Sequence, residues 1–334
     1  MILCATTRAL PGSPEMNALF ARLTLLTLLC SPMAQADPTA YPVTVQSCDR
    51  SVTFTAAPQR AVSNDVNLTK MMVALGLQSN MVGYSGITGW NKPDQALLRD
   101  LGKLPELASK YPSLETLLNA NADFYFAGWN YGMRVGGDVT PQSLAPLGIK
   151  AYELTESCAQ IMPRAEATLE DVYNDLLNLG RIFDVQNRAE TLVAQMRRSV
   201  SDVEASVAGK SQPRVFLYDS GEDRPMTAGR LAIPQALISA AGGHNVMGDV
   251  DASWTHVNWE SVVQSNPEVI VIVDYGEVSA AQKQHFLESN PALQSIDAIR
   301  NRRYVALPYV AVTPGLDNVT AIETLAAAFH DVKR

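Results

Sequence analysis

Apolar and polar positions change period repeatedly along this chain, and the changes sort it into elements. Residues 43–55 alternate loosely, as a half-buried hairpin does, with Asp49 and Arg50 near its turn. Residues 61–63 are a short strand that runs into the polar Asn64, Asp65 and Asn67. Residues 68–75 read as a helix stopped by Gly76. The pattern then predicts a strand at 81–84, a helix at 114–119, a strand at 124–127, a helix at 142–147 and a strand at 151–154. Strands that alternate with helices predict the α/β class, with a parallel sheet covered by helices on both faces.

The middle of the chain differs. Leu169, Val172, Tyr173, Leu176, Leu179, Ile182 and Phe183 recur at helical spacing within residues 163–183. A second helix is predicted over 188–207, and residues 209–213 break it. We therefore expect a helical spacer over 163–207 between an N-terminal lobe, 37–162, and a C-terminal lobe, 208–334. The second lobe repeats the alternation, with strands at 214–218, 269–273 and 304–307 and helices at 233–240 and 318–330.

The two lobes resemble each other. Residues 113–124 match 258–269 at a constant offset of 145, whereas Gly76 parallels Gly242 at an offset of 166. The difference places about 21 extra residues between Tyr84 and Glu106. A long loop in a compact domain is functional or disordered. This one carries Tyr84, Trp90 and Lys92, which favours function.

The N-terminus changes the picture. Arg22 precedes the apolar run 23–29, and Ala34, Gln35 and Ala36 follow it. A positive flank, a short apolar core and an A-x-A site predict a secretory signal over 1–36, cleaved after Ala36. The run is too short for a stable membrane anchor. Either Met1 or Met16 can be the start, and the bulky Leu29 argues against lipid attachment at Cys30. The expected location is the periplasm. Removing the signal takes away Cys4 and Cys30 and leaves Cys48 and Cys158. An even pair in an exported protein suggests a disulfide, with two separate buried thiols as the competing reading.

Composition sets limits. A chain of 334 residues with 47% hydrophobic content can build two cores. A net charge of -8 argues against a broad nucleic-acid footprint. No dinucleotide fingerprint, P-loop or H-E-x-x-H motif occurs, and residues 83–87 lack the second glycine of a hydrolase nucleophile elbow. The four histidines, His244, His256, His285 and His330, are dispersed. We expect no cofactor, no metal ligands and no catalytic residues.

Open α/β sheets hold ligands at the carboxyl ends of their strands. The residues that follow each predicted strand are therefore the candidate site. In the first lobe these are Asn64, Asp65, Tyr84, Trp90, Trp129, Tyr131 and Arg134. In the second they are Tyr218, Arg224, Arg230, Trp254, His256, Tyr275 and Tyr309. Aromatic rings supply apolar area with a polar tip, and their recurrence at both sets of strand ends points to a pocket. The arginines either pair with anionic groups of a ligand or form a solvated face.

The stretch Pro58-Gln59-Arg60-Ala61-Val62-Ser63, followed by Ala74-Leu75-Gly76-Leu77 and Val82-Gly83, resembles the opening of periplasmic siderophore- and vitamin B12-binding proteins. So do residues 237–246, then 257–260, then 266–270. The resemblance covers about residues 41–330 and identifies the chain with the class III solute-binding proteins of ABC importers. It implies two Rossmann-like lobes with central parallel sheets, joined by a long rigid helix. It also implies a ligand held between the lobes, delivery to an inner-membrane ABC permease, and a monomer. The ligand expected is a bulky metal chelate, either a ferric siderophore or a cobalamin-type corrinoid. Relatives commonly carry docking glutamates where this chain has Lys70 and Ser239. Two readings compete. A bare metal ion needs three or four converging His, Asp or Glu ligands, and only His256 falls near the cleft. An exported α/β enzyme needs a nucleophile and base, which the motifs do not show.

Overall fold

The computed structural model describes residues 39–90 and 94–330. The signal expected over residues 1–36, and Lys92 of the extra loop, lie outside the described residues. Val43–Ser47 and Arg50–Phe54 pair antiparallel, with Val43, Val45, Val52 and Phe54 turned inward. This hairpin is separate from two larger sheets.

The first sheet has six strands. Glu106–Ala108, Met81–Ser85, Ala61–Asn64 and Phe124–Trp129 lie in that order, and Gly132–Met133 and Lys150–Glu153 both pair with Phe124–Trp129. All of these pairings are parallel. The second sheet runs His244–Asn245, Arg214–Tyr218, Val269–Asp274, Tyr304–Pro308, again parallel. Phe124–Trp129 is buried along its whole length, and Val269–Asp274 along all but its last residue. A parallel sheet covered on both faces requires that, and it is why both strands read as unbroken apolar runs.

The repeat is structural. Leu114–Asn119 is capped by Ser113, whose side chain accepts from the Thr116 amide. Trp259–Ser265 is capped in the same way by Asn258, which accepts from Ser261. Each cap satisfies an amide that the first helical turn leaves unpaired. Each helix then leads into a six-residue central strand.

Between the sheets the predicted helical run is two helices. Leu169–Phe183 starts at a capping box made by Thr168 and Asp171, and stops where Asp184 takes a left-handed φ of 59°. Gln186–Val207 follows. The first helix packs on the hairpin, and the second on Asn318–His330 and Pro234–Ala240. One apolar core runs through both sheets, joining Phe126, Tyr152 and Leu176 to Met196, Leu237, Val271 and Leu325.

The described part of the extra loop carries regular structure. It contains a helix, Gln95–Leu101, capped by Asp94, and the edge strand Glu106–Ala108. The helix buries only Leu97 and Leu101, one turn apart, so no period registers in the sequence. A disulfide joins Cys48, in the hairpin turn, to Cys158 in the 3-10 turn Thr155–Gln160, with the Cα atoms 5.3 Å apart. Among the described residues no helix is long and apolar enough to cross a membrane.

Candidate ligand-binding site

The carboxyl ends of both sheets meet around a cavity of about 250 Å³. Trp129, Asn130 and Tyr131 enter it where Phe124–Trp129 ends, and Ser157 and Gln160 from the turn after Lys150–Glu153. From the second sheet come Asp219, Tyr275 and Tyr309, at the ends of Arg214–Tyr218, Val269–Asp274 and Tyr304–Pro308. Met226, Ser253 and Trp254 complete the lining from an antiparallel ribbon, Met226–Ala228 with Trp254–His256. Five of these lining residues are aromatic, and amide, hydroxyl, carboxylate and thioether groups stand between the rings.

Each ring is held by its polar tip. Trp129 Nε1 donates to Glu153 Oε1 at 2.9 Å, and the same carboxylate takes Ser47 Oγ at 2.8 Å and Arg50 at 2.5 Å. Tyr131 donates its hydroxyl to Glu156 Oε1 at 3.4 Å and is itself hydrogen-bonded to the Trp254 side chain. Tyr275 donates to Asp219 Oδ2 at 2.7 Å, and Tyr309 to Asp65 Oδ2 at 2.9 Å. The Tyr275 and Tyr309 rings lie 5.5 Å apart, tilted by 46°. Beneath Tyr275, Lys283 Nζ sits 4.5 Å from the ring centroid and donates to the Asp219 and Val273 carbonyls. Gly132 makes the tight return after Tyr131: its φ is 109°, and a Cβ there would stand 2.5 Å from the Tyr125 hydroxyl and 2.7 Å from Asn64 Cβ.

Several bonds cross from one sheet's side to the other around this cavity. Glu156 Oε2 accepts from the Ile233 amide at 2.7 Å, and Asn67 Nδ2 donates to the Pro314 carbonyl at 2.8 Å. The Gly276 amide donates to the Trp90 carbonyl at 3.0 Å. Burial pushes the Glu156 carboxyl up to about 8, the Ile233 amide opposing it, and pushes Asp175, behind the same turn, up to about 7. Burial also raises Asp219. Among the described residues no group of three or more His, Cys, Asp or Glu side chains is placed to hold a metal ion.

The periplasmic binding protein profile matches residues 62–311. The chain belongs to the periplasmic binding protein family. It is 22% identical over 295 residues to an uncharacterized ABC transporter substrate-binding lipoprotein of Bacillus subtilis, covering 87% of this chain and 86% of that one. It is 24% identical over 237 residues to a cobalamin-binding protein of Halobacterium salinarum, 70% of this chain and 58% of that one. Among solved structures, a periplasmic binding protein from Veillonella parvula superposes with a TM-score of 0.77 at 27% identity, covering 87% of this chain and 98% of that one. The ABC-type Fe3+-hydroxamate transport system from Saccharomonospora viridis gives 0.73 at 24% identity, over 87% and 100%, and shares the fold.

Within this periplasmic binding protein, five of the residues expected from strand ends line the cavity: Trp129, Tyr131, Trp254, Tyr275 and Tyr309. Asp65 stands behind it as the N-cap of Val66–Ala74 and the partner of Tyr309. Asn64 is fully buried, takes the Ser85 hydroxyl on Oδ1, and leaves Nδ2 without a partner. Tyr84 is buried inside its strand, and Tyr218 packs on Trp259. Trp90 and Arg134 meet at Tyr111, the one edge-on at 5.5 Å and the other over the ring at 5.1 Å. Tyr111 in turn donates to the Asn130 carbonyl, so it supports the lining; nothing in its sequence surroundings signalled that. Arg230 is taken up by Asp251 at 2.7 Å and by the Ala165 carbonyl. His256 is exposed, with Nδ1 3.0 Å from the carbonyl of the exposed Arg224. Lys70 pairs with Asp317 at 2.7 Å, while Ser239 lies in a separate groove of about 370 Å³ with Glu166, Glu170 and Glu204.

Proposed function

We propose that this periplasmic binding protein captures a bulky metal chelate, a ferric siderophore or a cobalamin-type corrinoid, and delivers it to an inner-membrane ABC permease. One observation carries the reading: rigid aromatic side chains from the strand ends of both sheets converge on one cavity. A large, flat ligand gains most from rings already in place, because little ordering entropy remains to be lost. The cavity is too small to enclose such a ligand, so it would take one edge while the remainder rests at the mouth. The cobalamin-binding relative and the fold shared with a hydroxamate transport component support the same ligand class.

On this reading residues 37–162 and 208–334 act as two lobes braced by 163–207, and residues 1–36 direct export and are then removed. The protein works as a monomer and performs no catalysis. Permease contacts then use residues other than Lys70, whose charge is spent on Asp317. The test is native mass spectrometry of protein purified from the periplasm, followed by calorimetric titration with ferric siderophores and corrinoids. An intact chelate carried through purification, or tight binding of one member, supports the reading. Stoichiometric bare zinc or manganese, with no chelate bound, overturns it.

A further inference from the structure

Asp219 stands apart from the rest of the lining. It is the one carboxylate among the described residues that face the cavity, and no arginine, lysine or histidine among them joins it there. The residue is only 6% exposed. Oδ2 is fully used, taking Tyr275 at 2.7 Å and Ser220 at 2.8 Å. Among the described residues none donates a hydrogen bond to Oδ1. Oδ1 keeps access to the cavity and its water, so a ligand donor placed there would exchange a water contact for a charge-assisted bond. The nearest cation, Lys283, is turned away from the cavity onto two backbone carbonyls, so it does not offer a ligand anion a partner. The other polar groups of the lining that matter are Asn130 and Gln160, amides that both give and accept hydrogen bonds.

We propose that Asp219 selects the ligand's charge: the cavity takes an edge of an electroneutral chelate bearing N–H donors, such as peripheral carboxamides, and rejects chelates that present carboxylates or phenolates at that edge. The proposal rests on the chelate-capture reading and narrows it. A corrinoid with amide side chains and a neutral ferric trihydroxamate built on a peptide ring share this chemistry. Haem, with its two propionates, and a trianionic ferric tricatecholate do not. The physical reason is that two like charges in a dry site repel far more strongly than in water, whereas an amide N–H on a free carboxylate oxygen makes a charge-assisted bond.

The experiment uses matched pairs with the processed protein. Calorimetry compares cyanocobalamin with its monocarboxylic derivative, in which one peripheral amide is hydrolysed, and a neutral ferric trihydroxamate with a ferric tricatecholate. The wild-type protein should favour the uncharged member of whichever pair it binds by at least tenfold. Asp219→Asn should cut that preference to below about threefold, with the anionic member gaining affinity relative to the uncharged one. The two pairs separate the corrinoid from the hydroxamate source. Equal or tighter binding of an anionic member by the wild type overturns the charge selection and leaves chelate capture standing. An unchanged ratio in Asp219→Asn assigns any selection to another residue and also overturns the proposal. A melting curve on the variant checks its fold, and should it fail to fold, the wild-type pairs decide alone. If no member of either pair binds, chelate capture falls and this inference with it.

Discussion

Replacing both Cys48 and Cys158 by alanine should lower stability by about 2–5 kcal/mol, the usual cost of losing a native disulfide. The bond closes a loop of 110 residues in sequence separation. In the chain-entropy account a loop of that order restricts the unfolded chain by about 5 kcal/mol at room temperature, which sets the upper end. Alanine is the apt replacement, because Cys158 is buried and a serine hydroxyl there would add an unpaired polar group. Unfolding entropy near 2.1 cal/mol/K per residue, summed over a body of about 290 residues, converts the loss to a fall in Tm of about 3–8 °C. The effect also has a local component. The bond anchors the turn Thr155–Gln160, which carries Ser157 and Gln160 into the cavity and Glu156 against Ile233. Ligand affinity should therefore weaken in the same variant. Scanning calorimetry with and without ligand, and thiol titration of denatured, unreduced wild-type protein, are the assays. A Tm within 1 °C of wild type, or two titratable thiols in the wild type, would refute the reasoning.

Three other outcomes are expected. Trp129→Ala or Trp254→Ala should weaken chelate binding by about 1–3 kcal/mol each, the range for a buried anchor, whereas His285→Ala on its exposed helix face should change nothing; calorimetric titration decides, and unaffected binding in both tryptophan variants removes the cavity from consideration. Stability should fall as pH rises from about 5 to about 8. Glu156 and Asp175 ionise near 4.5 and 3.8 when exposed but only near 8 and 7 when folded, so across that window the native state holds more protons than the unfolded chain; denaturant titrations should show a shallower pH slope for Glu156→Gln, and a wild type more stable at pH 8 than at pH 5 contradicts the assignment. Finally, N-terminal sequencing of secreted protein should begin at Asp37, and a mature chain retaining Met1 or Met16 counts against export by this signal.

Much of the architecture was legible because its signals are local. Phe124–Trp129 and Val269–Asp274 are unbroken apolar runs, and Ser113 and Asn258 announce the helices that precede them. The end of each such strand then points to its cavity residue, which is how Trp129, Tyr275 and Tyr309 were reached. What stayed hidden depends on contacts distant in sequence. The ribbon Met226–Ala228 with Trp254–His256 has three residues per strand, too few for an alternation to show. Ser157, Gln160 and Ser253 are ordinary polar residues that become lining only because turns carry them there. Arg230 left open an anion partner or a solvated face, and Asp251 holds it. The sequence offers no means of knowing which cation is spent within the fold.

The same distinction explains what the cavity offers a ligand. Tyrosine and tryptophan are attractive contacts because each has an apolar face and a polar tip, but here the tips are already committed. Trp129 donates to Glu153, Tyr131 to Glu156, Tyr275 to Asp219 and Tyr309 to Asp65. Burial raises Tyr131, Tyr275 and Tyr309 above the ordinary phenol value, so all three stay protonated and remain donors to their carboxyl partners at physiological pH. The acceptors are anchored too: Glu153 by Ser47 and Arg50, Glu156 by the Ile233 amide, Asp65 by the Val66 amide. Rings fixed at their tips cannot turn to follow a ligand. They present faces in set positions, and on the proposed reading a ligand would bind by matching those faces and not by drawing side chains around itself. Specificity then falls to the few polar groups whose hydrogen bonds the fold leaves open, and among the cavity's carboxylate oxygens that is Asp219 Oδ1.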